Sequence, residues 1–259
     1  MRYRALAGLV LTVVLSGCPK EKEDDTLTFA EALQAVEEST LSSQAQSLQS
    51  ASVEITTSFT IGQAVENAAQ EIKDFVGTQL PCAEITLADA TLTVKYGAKP
   101  GNCTYKGHKF SGTHSIQVEK NDQAQVLVHH TWADLTNGVV KLNGTADVTW
   151  DFQELSRKVV HKVEWTRVHD GFAVSGEGDR TQTPLAGGVL EGIEIDGHRS
   201  WASVRGEWNL TIDGVQMRWV DPVPQAGSYN LLTPKNKKLG LSFQRVDEDT
   251  IKVTVSNGK

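Results

Sequence analysis

The first constraints on this chain come from what it lacks. It has no Gly-x-Ser-x-Gly elbow, no phosphate-binding glycine loop and no Asp-x-Asp-x-Asp-Gly calcium loop, so none of the chemistries those motifs support is announced. Its seven histidines form no His-x-His, His-x-x-x-His or Glu-x-x-His cluster. The adjacent pair His129-His130 would point to opposite faces of a strand, so ordinary strand histidines are expected rather than metal ligands, and no cofactor is expected. An excess of positive charge is missing too. With 25 Lys and Arg against 32 Asp and Glu, the net charge is −7, which argues against nucleic acid as a partner and against electrostatic docking on anionic lipid. No internal repeat of fixed period stands out. The one long apolar run, Ala5 to Leu15, is too short to span a bilayer as a permanent helix.

That run has a different use. Arg2 and Arg4 precede it and small residues close it, the form of an export signal. Its last residues, Leu15-Ser16-Gly17-Cys18, resemble the lipobox of bacterial lipoproteins. The resemblance implies a signal peptide over residues 1–17, a lipidated Cys18 as first mature residue, and a membrane contact made by two or three acyl chains. A plain secretory signal, with Cys18 incidental, is the competing reading. Pro19 and the charged run Lys20 to Asp25 cannot join a core, so residues 18–26 read as a flexible tether. By resemblance to enteric lipoproteins, Pro19 in place of an Asp implies the outer rather than the inner membrane of a cell envelope.

Cysteine is scarce, and its parity is informative. If Cys18 takes lipid, Cys82 and Cys103 remain as a pair, and in an exported protein that favours a disulfide. Closing a loop of about 20 residues would stabilise the fold by roughly 3 kcal/mol. A thiol nucleophile or metal pair is the alternative, without a Cys-x-x-Cys spacing to support it.

The pattern after the tether predicts a single domain over residues 27–259, with a helical part over 27–80 and a β part over 81–259. Thr28-Phe29-Ala30-Glu31 has the capping-box form, followed by Phe29, Leu33, Val36 and Leu41 at helical spacing. The Ser/Gln-rich stretch Ser39 to Ser52 blurs the helix end. Alternation from Val53 to Ile61 predicts a strand. A second box at Thr60 to Gln63 opens another helix, with Val65, Ala68, Ala69, Ile72, Phe75 and Val76 on its face, stopped at Pro81. Beyond Cys82 the period is two throughout: Val126, Val128, His130 and Trp132 share a face, as do Ala146, Val148, Trp150 and Phe152, then Val159, His161, Val163 and Trp165.

Asn137-Gly138, Asn143-Gly144, Asp170-Gly171, Asp196-Gly197 and Asp213-Gly214 are expected at hairpin turns. Asp221-Pro222-Val223-Pro224 is expected to carry the chain across a sheet edge. Strands spaced this closely, without helices between them, exclude a parallel α/β sheet. The fold class is therefore mainly β (α+β), an antiparallel meander of about ten strands curled into a half-barrel or sandwich, with two N-terminal helices.

Ser175-Gly176-Glu177-Gly178-Asp179-Arg180 reads as a solvated loop. Six tryptophans fall in predicted strands, and core packing is their default role. Taking Trp201 to Trp208 as one strand gives the two rings opposite parity. Trp201, with polar same-face neighbours, is then the outward ring and a candidate interaction surface.

The mature part is similar to uncharacterised lipoproteins of the myxobacterial kind, through the lipobox, the Leu80-Pro81-Cys82 junction and the Asp221-Pro222-Val223-Pro224 turn. That similarity implies export and lipidation, and no activity. The architecture also resembles the half-barrel carrier of lipoproteins, a likeness of fold that does not establish function. Three functions remain: a non-catalytic envelope lipoprotein with a structural or binding role, its protein partner or ligand unspecified; a carrier of an apolar ligand or lipid in a cavity of several hundred Å³; or a hydrolase or metal enzyme whose site assembles from distant strands.

Overall fold

The structure is a computed structural model that describes residues 27–56, 65–105, 107–120, 125–151, 153–218, 221–248 and 250–256. Helix α1, Phe29–Thr56, begins at the expected capping box. The Thr28 amide donates to Glu31 Oε2 at 2.8 Å and the Glu31 amide to Thr28 Oγ1 at 3.3 Å, so two donors of the first turn are satisfied. The helix does not stop in the Ser/Gln-rich stretch. It continues through Val53 and Ile55, both buried, where alternation suggests a strand. The remainder of that expected strand and the second capping box lie outside the described residues. Helix α2, Val65–Gln79, buries Ala68, Ala69, Ile72 and Val76, leaves Phe75 on its exposed side and ends before Pro81, which cannot continue the ladder.

The β part begins with β1 (Glu84–Ala88), β2 (Thr91–Tyr96), the short pair β3 (Thr104–Tyr105) and β4 (His108–Lys109), and β5 (Ser111–Lys120). Next come β6 (Val126–Thr136), β7 (Val140–Asp151), β8 (Ser156–Arg167), β9 (Ala173–Leu185) and β10 (Gly188–Ser203). The chain closes with β11 (Gly206–Arg218), β12 (Asp221–Leu232), β13 (Lys238–Arg245) and β14 (Ile251–Ser256). All but β3 and β4 belong to one 12-stranded antiparallel sheet in which sequence order is spatial order, apart from the β3–β4 excursion. The sheet is not closed. The meander is thus as expected, two strands wider, and it is neither a sandwich nor a complete barrel.

Inner and outer faces follow strand parity as read. Val126, Val128, His130 and Trp132, then Ala146, Val148 and Trp150, then Val159, His161, Val163 and Trp165 all turn inward toward the helices and are buried. Each fully buried Val or Ile contributes about 1.5–3 kcal/mol. Phe152 and Trp219 lie outside the described residues.

Only two of the five expected turn dipeptides are turns. Asn137-Gly138 links β6 to β7 and Asp170-Gly171 links β8 to β9. Asn143-Gly144, Asp196-Gly197 and Asp213-Gly214 sit inside β7, β10 and β11. Gly144 and Gly197 have φ of 135° and 139°, and a Cβ there would run into the backbone of the neighbouring strand at Lys162 and Asp179. Positive φ in this sheet serves close strand approach and irregular register, as β-bulges do, and not hairpin reversal alone. The Asp221 to Pro224 segment lies within β12 and not between strands, but it pairs only with β11, because β13 joins β12 from Ala226 onward. Its prolines therefore sit at an edge, as expected, at a stretch where register against β11 shifts three times and Pro224 faces Met217.

Candidate functional site

Cys82 and Cys103 are joined, with Cα atoms 5.4 Å apart. The bond spans a loop that contains hairpin β1–β2 and the following turn, where Lys99 N donates to Cys82 O at 2.9 Å. It fastens the first hairpin to the base of α2. Cys18 lies outside the described residues.

Trp201 is not an outward ring. It is 2 % exposed, lies opposite Trp208 across the β10–β11 hairpin, and the two rings stack 6.1 Å apart at 3°. A reversal at Val204-Arg205 separates them, and counting parity through a turn inverts the assignment. The Ser175 to Arg180 segment is strand, not loop: it lies within β9. Gly176 and Gly178 face inward because rings occupy their side-chain space. A Cβ at Gly176 would lie 2.5 Å from Trp165, and one at Gly178 would lie 2.5 Å from His161.

The histidines divide by face as expected. His129 is on the outer face, with Nδ1 2.6 Å from Asp147 and Nε2 3.7 Å from Glu119. His130 is buried, 2.9 Å from His114, whose other nitrogen is 3.1 Å from the Tyr96 hydroxyl. Burial drives both rings toward the neutral form, His114 well below its ordinary pKa and His130 down to about 3, with help from the other His ring and from Arg157 respectively. Among the described residues no three His, Cys, Asp or Glu side chains are placed to share a metal ion.

The unusual part of the molecule is the seam between α1 and the inner face of β8, β9 and β10. A helix that packs on a sheet ordinarily presents an apolar stripe. Here α1 presents Glu38, Ser42, Gln49 and Ser52, all buried, among apolar residues that include Leu41, Leu48, Val53 and Ile55. Acidic side chains fasten it at intervals along about 35 Å of helix. Near its start Glu31 meets Lys235 and Lys237 at 2.8 and 2.7 Å, and these hydrogen bonds hold the Glu31 carboxyl far below the usual range. Glu37 meets Arg205 at 2.7 Å and Arg167 at 3.1 Å, which also depresses its pKa. Glu38 is 1 % exposed and accepts from Ser203 at 3.2 Å, but burial dominates and raises its pKa. At the far end Glu54 pairs with Arg157, which is buried in β8.

Three guanidinium groups occupy the seam on consecutive strands: Arg157 on β8, Arg180 on β9 and Arg199 on β10. Arg180 donates to Ser50 Oγ at 3.2 Å and, with the Gln46 amide oxygen turned toward it, to Gln46 at 2.9 Å. Arg199 lies over the Trp201 ring, 5.3 Å from its centroid. Burial, then the neighbouring guanidinium groups, push Arg180 down to about 9; burial pushes Arg199 down to about 10. Beside them His161 is held down to about 3 by burial and by both arginines. A water-sized void of about 10 Å³ lies against Ser42, Gln46, Gln49, His161, Trp165 and Arg199. A hollow of about 490 Å³ lies across the outer parts of β7 to β11, with Lys162, Glu164, Glu177 and Glu207 on its lining.

Strand parity alone could have found Arg157, which falls in step with Val159, His161, Val163 and Trp165. Arg180 and Arg199 were hidden by the glycines beside them, which gave the look of a loop or a turn. The fold and seam together define a single-sheet antiparallel meander capped by a charge-docked helix. Compared with protein-family models, curated proteins and solved structures, the chain has no significant match.

Proposed function

We propose that the protein is a lipid-anchored cell-envelope lipoprotein, more suited to the outer membrane than the inner, whose β domain has a structural or binding role rather than a catalytic one. The observation that carries this reading is the cysteine arrangement. Cys82 and Cys103 are joined to each other, which leaves Cys18, at the end of the charge-led apolar leader, as the unclaimed thiol. The acidic surface balance leaves acyl chains as the membrane contact. A structural or binding role is supported by where these acidic side chains are spent: Glu31, Glu37, Glu38 and Glu54 fasten α1 to the β part.

Metabolic labelling with a fatty acid, followed by membrane fractionation and mass spectrometry of the mature amino terminus, tests the anchor. Label on the wild type and its loss in Cys18→Ser, with release of the variant into the soluble fraction, is the expected result. An unmodified terminus at Cys18 would overturn it. Turnover by the purified protein across an ester, peptide and glycan panel would overturn the non-catalytic part.

A further inference from the structure

The seam holds buried nitrogens without hydrogen-bond partners, four of them donors and one, His161 Nδ1, a donor in one tautomer. Gln49 Nε2, His161 Nδ1, Trp165 Nε1, Arg180 Nε and Arg199 Nε are all buried atoms without a partner among the described residues. Gln49, His161 and Arg180 are themselves more than nine-tenths covered. Native interiors satisfy nearly all such groups, and each one left open costs about 1–3 kcal/mol. Charge is unbalanced in the same place: three guanidinium groups face one carboxylate. Glu54 pairs directly with Arg157 and attracts Arg180 without a hydrogen bond to it, the hydrogen-bond partners of Arg180 are the neutral Ser50 and Gln46, and Arg199 lies over the Trp201 ring. The Tyr229 hydroxyl nearby does not compensate, because burial raises its pKa and keeps it protonated. Four of these open nitrogens belong to Gln49, His161, Trp165 and Arg199, which border the water-sized void, and Arg180 adjoins it through Gln46. A void of this size admits one small species. Water could accept some of these hydrogen bonds but would leave positive charge in excess over the one Glu54 carboxylate.

We propose that this void is a binding site for one small monovalent anion of the halide class, held by Arg199, Gln49 and His161 with the charge of Arg180 behind them. The anion would accept from the open donors, oppose the surplus positive charge, and lock α1 onto β9 and β10. In this account His161 donates through Nδ1 and stays neutral. The inference does not depend on membrane anchoring.

The test uses the full-length protein in solutions of matched ionic strength made with sodium bromide, sodium chloride or sodium gluconate, whose anion is too large for the void. The melting temperature is expected to rise saturably, by several degrees, with bromide and chloride but not with gluconate. Arg199→Met should lose that rise, whereas Arg205→Ala, which removes an exposed pair at the helix start, should keep it. Because Arg199→Met alters a packed side chain, wild-type crystals soaked in bromide give an independent reading: an anomalous peak at the void is expected. Equal melting curves in bromide and gluconate, or bromide-soaked crystals with no peak there, would overturn the proposal and leave water as the occupant.

Discussion

The two helices lie against the same face of one sheet, yet they are held by different forces. Helix α2 covers β1, β2 and β5 through Ala68, Ala69, Ile72 and Val76 against a dry set that includes Leu92, Val94, Ile116 and Val118. Helix α1 crosses β8 to β10 with Gln49, Ser52 and Glu54 facing Arg157, Arg180, His161 and Arg199. The first docking is non-directional and tolerant of small shifts, because burial scales with area. The second depends on direction and pairing, because a buried charge without its partner is expensive. One sheet thus carries a dry end that supplies stability and a polar end that specifies where its long helix must lie.

The sharpest way to break this contrast is to remove one member of the buried pair. Arg157→Met should destabilise by about 3–5 kcal/mol by stranding Glu54, and adding Glu54→Met to it should recover much of the loss. Chemical denaturation of the single and double variants checks this, and an additive double variant would count against a coupled pair. At the dry end Ile72→Ala should cost about 2–4 kcal/mol with no partner able to rescue it. Reduction of the Cys82–Cys103 bond, or its replacement by serines, should cost about 3 kcal/mol, read as a lower denaturation midpoint. Gly176→Ala should cost about 1–3 kcal/mol, because its new methyl group meets the Trp165 ring.

Acid separates the two ends with a smaller effect. His130 and His161 have folded pKa values near 3 against an ordinary 6.5. Below pH 6.5 the unfolded chain therefore binds more protons than the folded one. Their contribution is full above pH 6.5 and is lost as pH falls from there toward 3. Glu31 and Glu37, whose pKa values are depressed by their Lys and Arg partners, contribute above about pH 4.5 and are lost only below it. Thermal scans should show stability already declining between pH 6.5 and 5. His161→Gln should lessen that decline, and a flat profile across the interval would contradict a neutral buried His161. At the other extreme, Val204→Ser at the exposed β10–β11 turn should change stability by no more than about 0.5 kcal/mol.

The same contrast explains which parts of the fold could be read in advance. At the dry end sequence pattern and structure agree: the Thr28 to Glu31 cap, the face of α2, the stop at Pro81 and the alternation of the long strands are all local consequences of spacing. At the polar end pattern misleads. Gln46 and Ser50 look like part of a weakening helix because their partner is Arg180 rather than an apolar side chain, and it lies more than a hundred residues away. Gly176, Gly178 and Gly197 look like turn or loop residues, but they are places where a ring or a neighbouring backbone must come close. Of the seam itself only His161, Val163 and Trp165 were visible, as inward members of one strand.

Local chemistry therefore determined the antiparallel meander, the face to which most strand residues turn, the start of α1, the extent of α2 beyond residue 65, and which two cysteines could pair, because those depend on period, caps and count. Tertiary structure alone decided that Trp201 stacks inward on Trp208, that β13 joins β12 only beyond its prolines, and that three arginines on successive strands meet beneath one helix. Each of those outcomes rests on register across hydrogen-bonded neighbours, and register is a property of the assembled sheet rather than of any single stretch of chain.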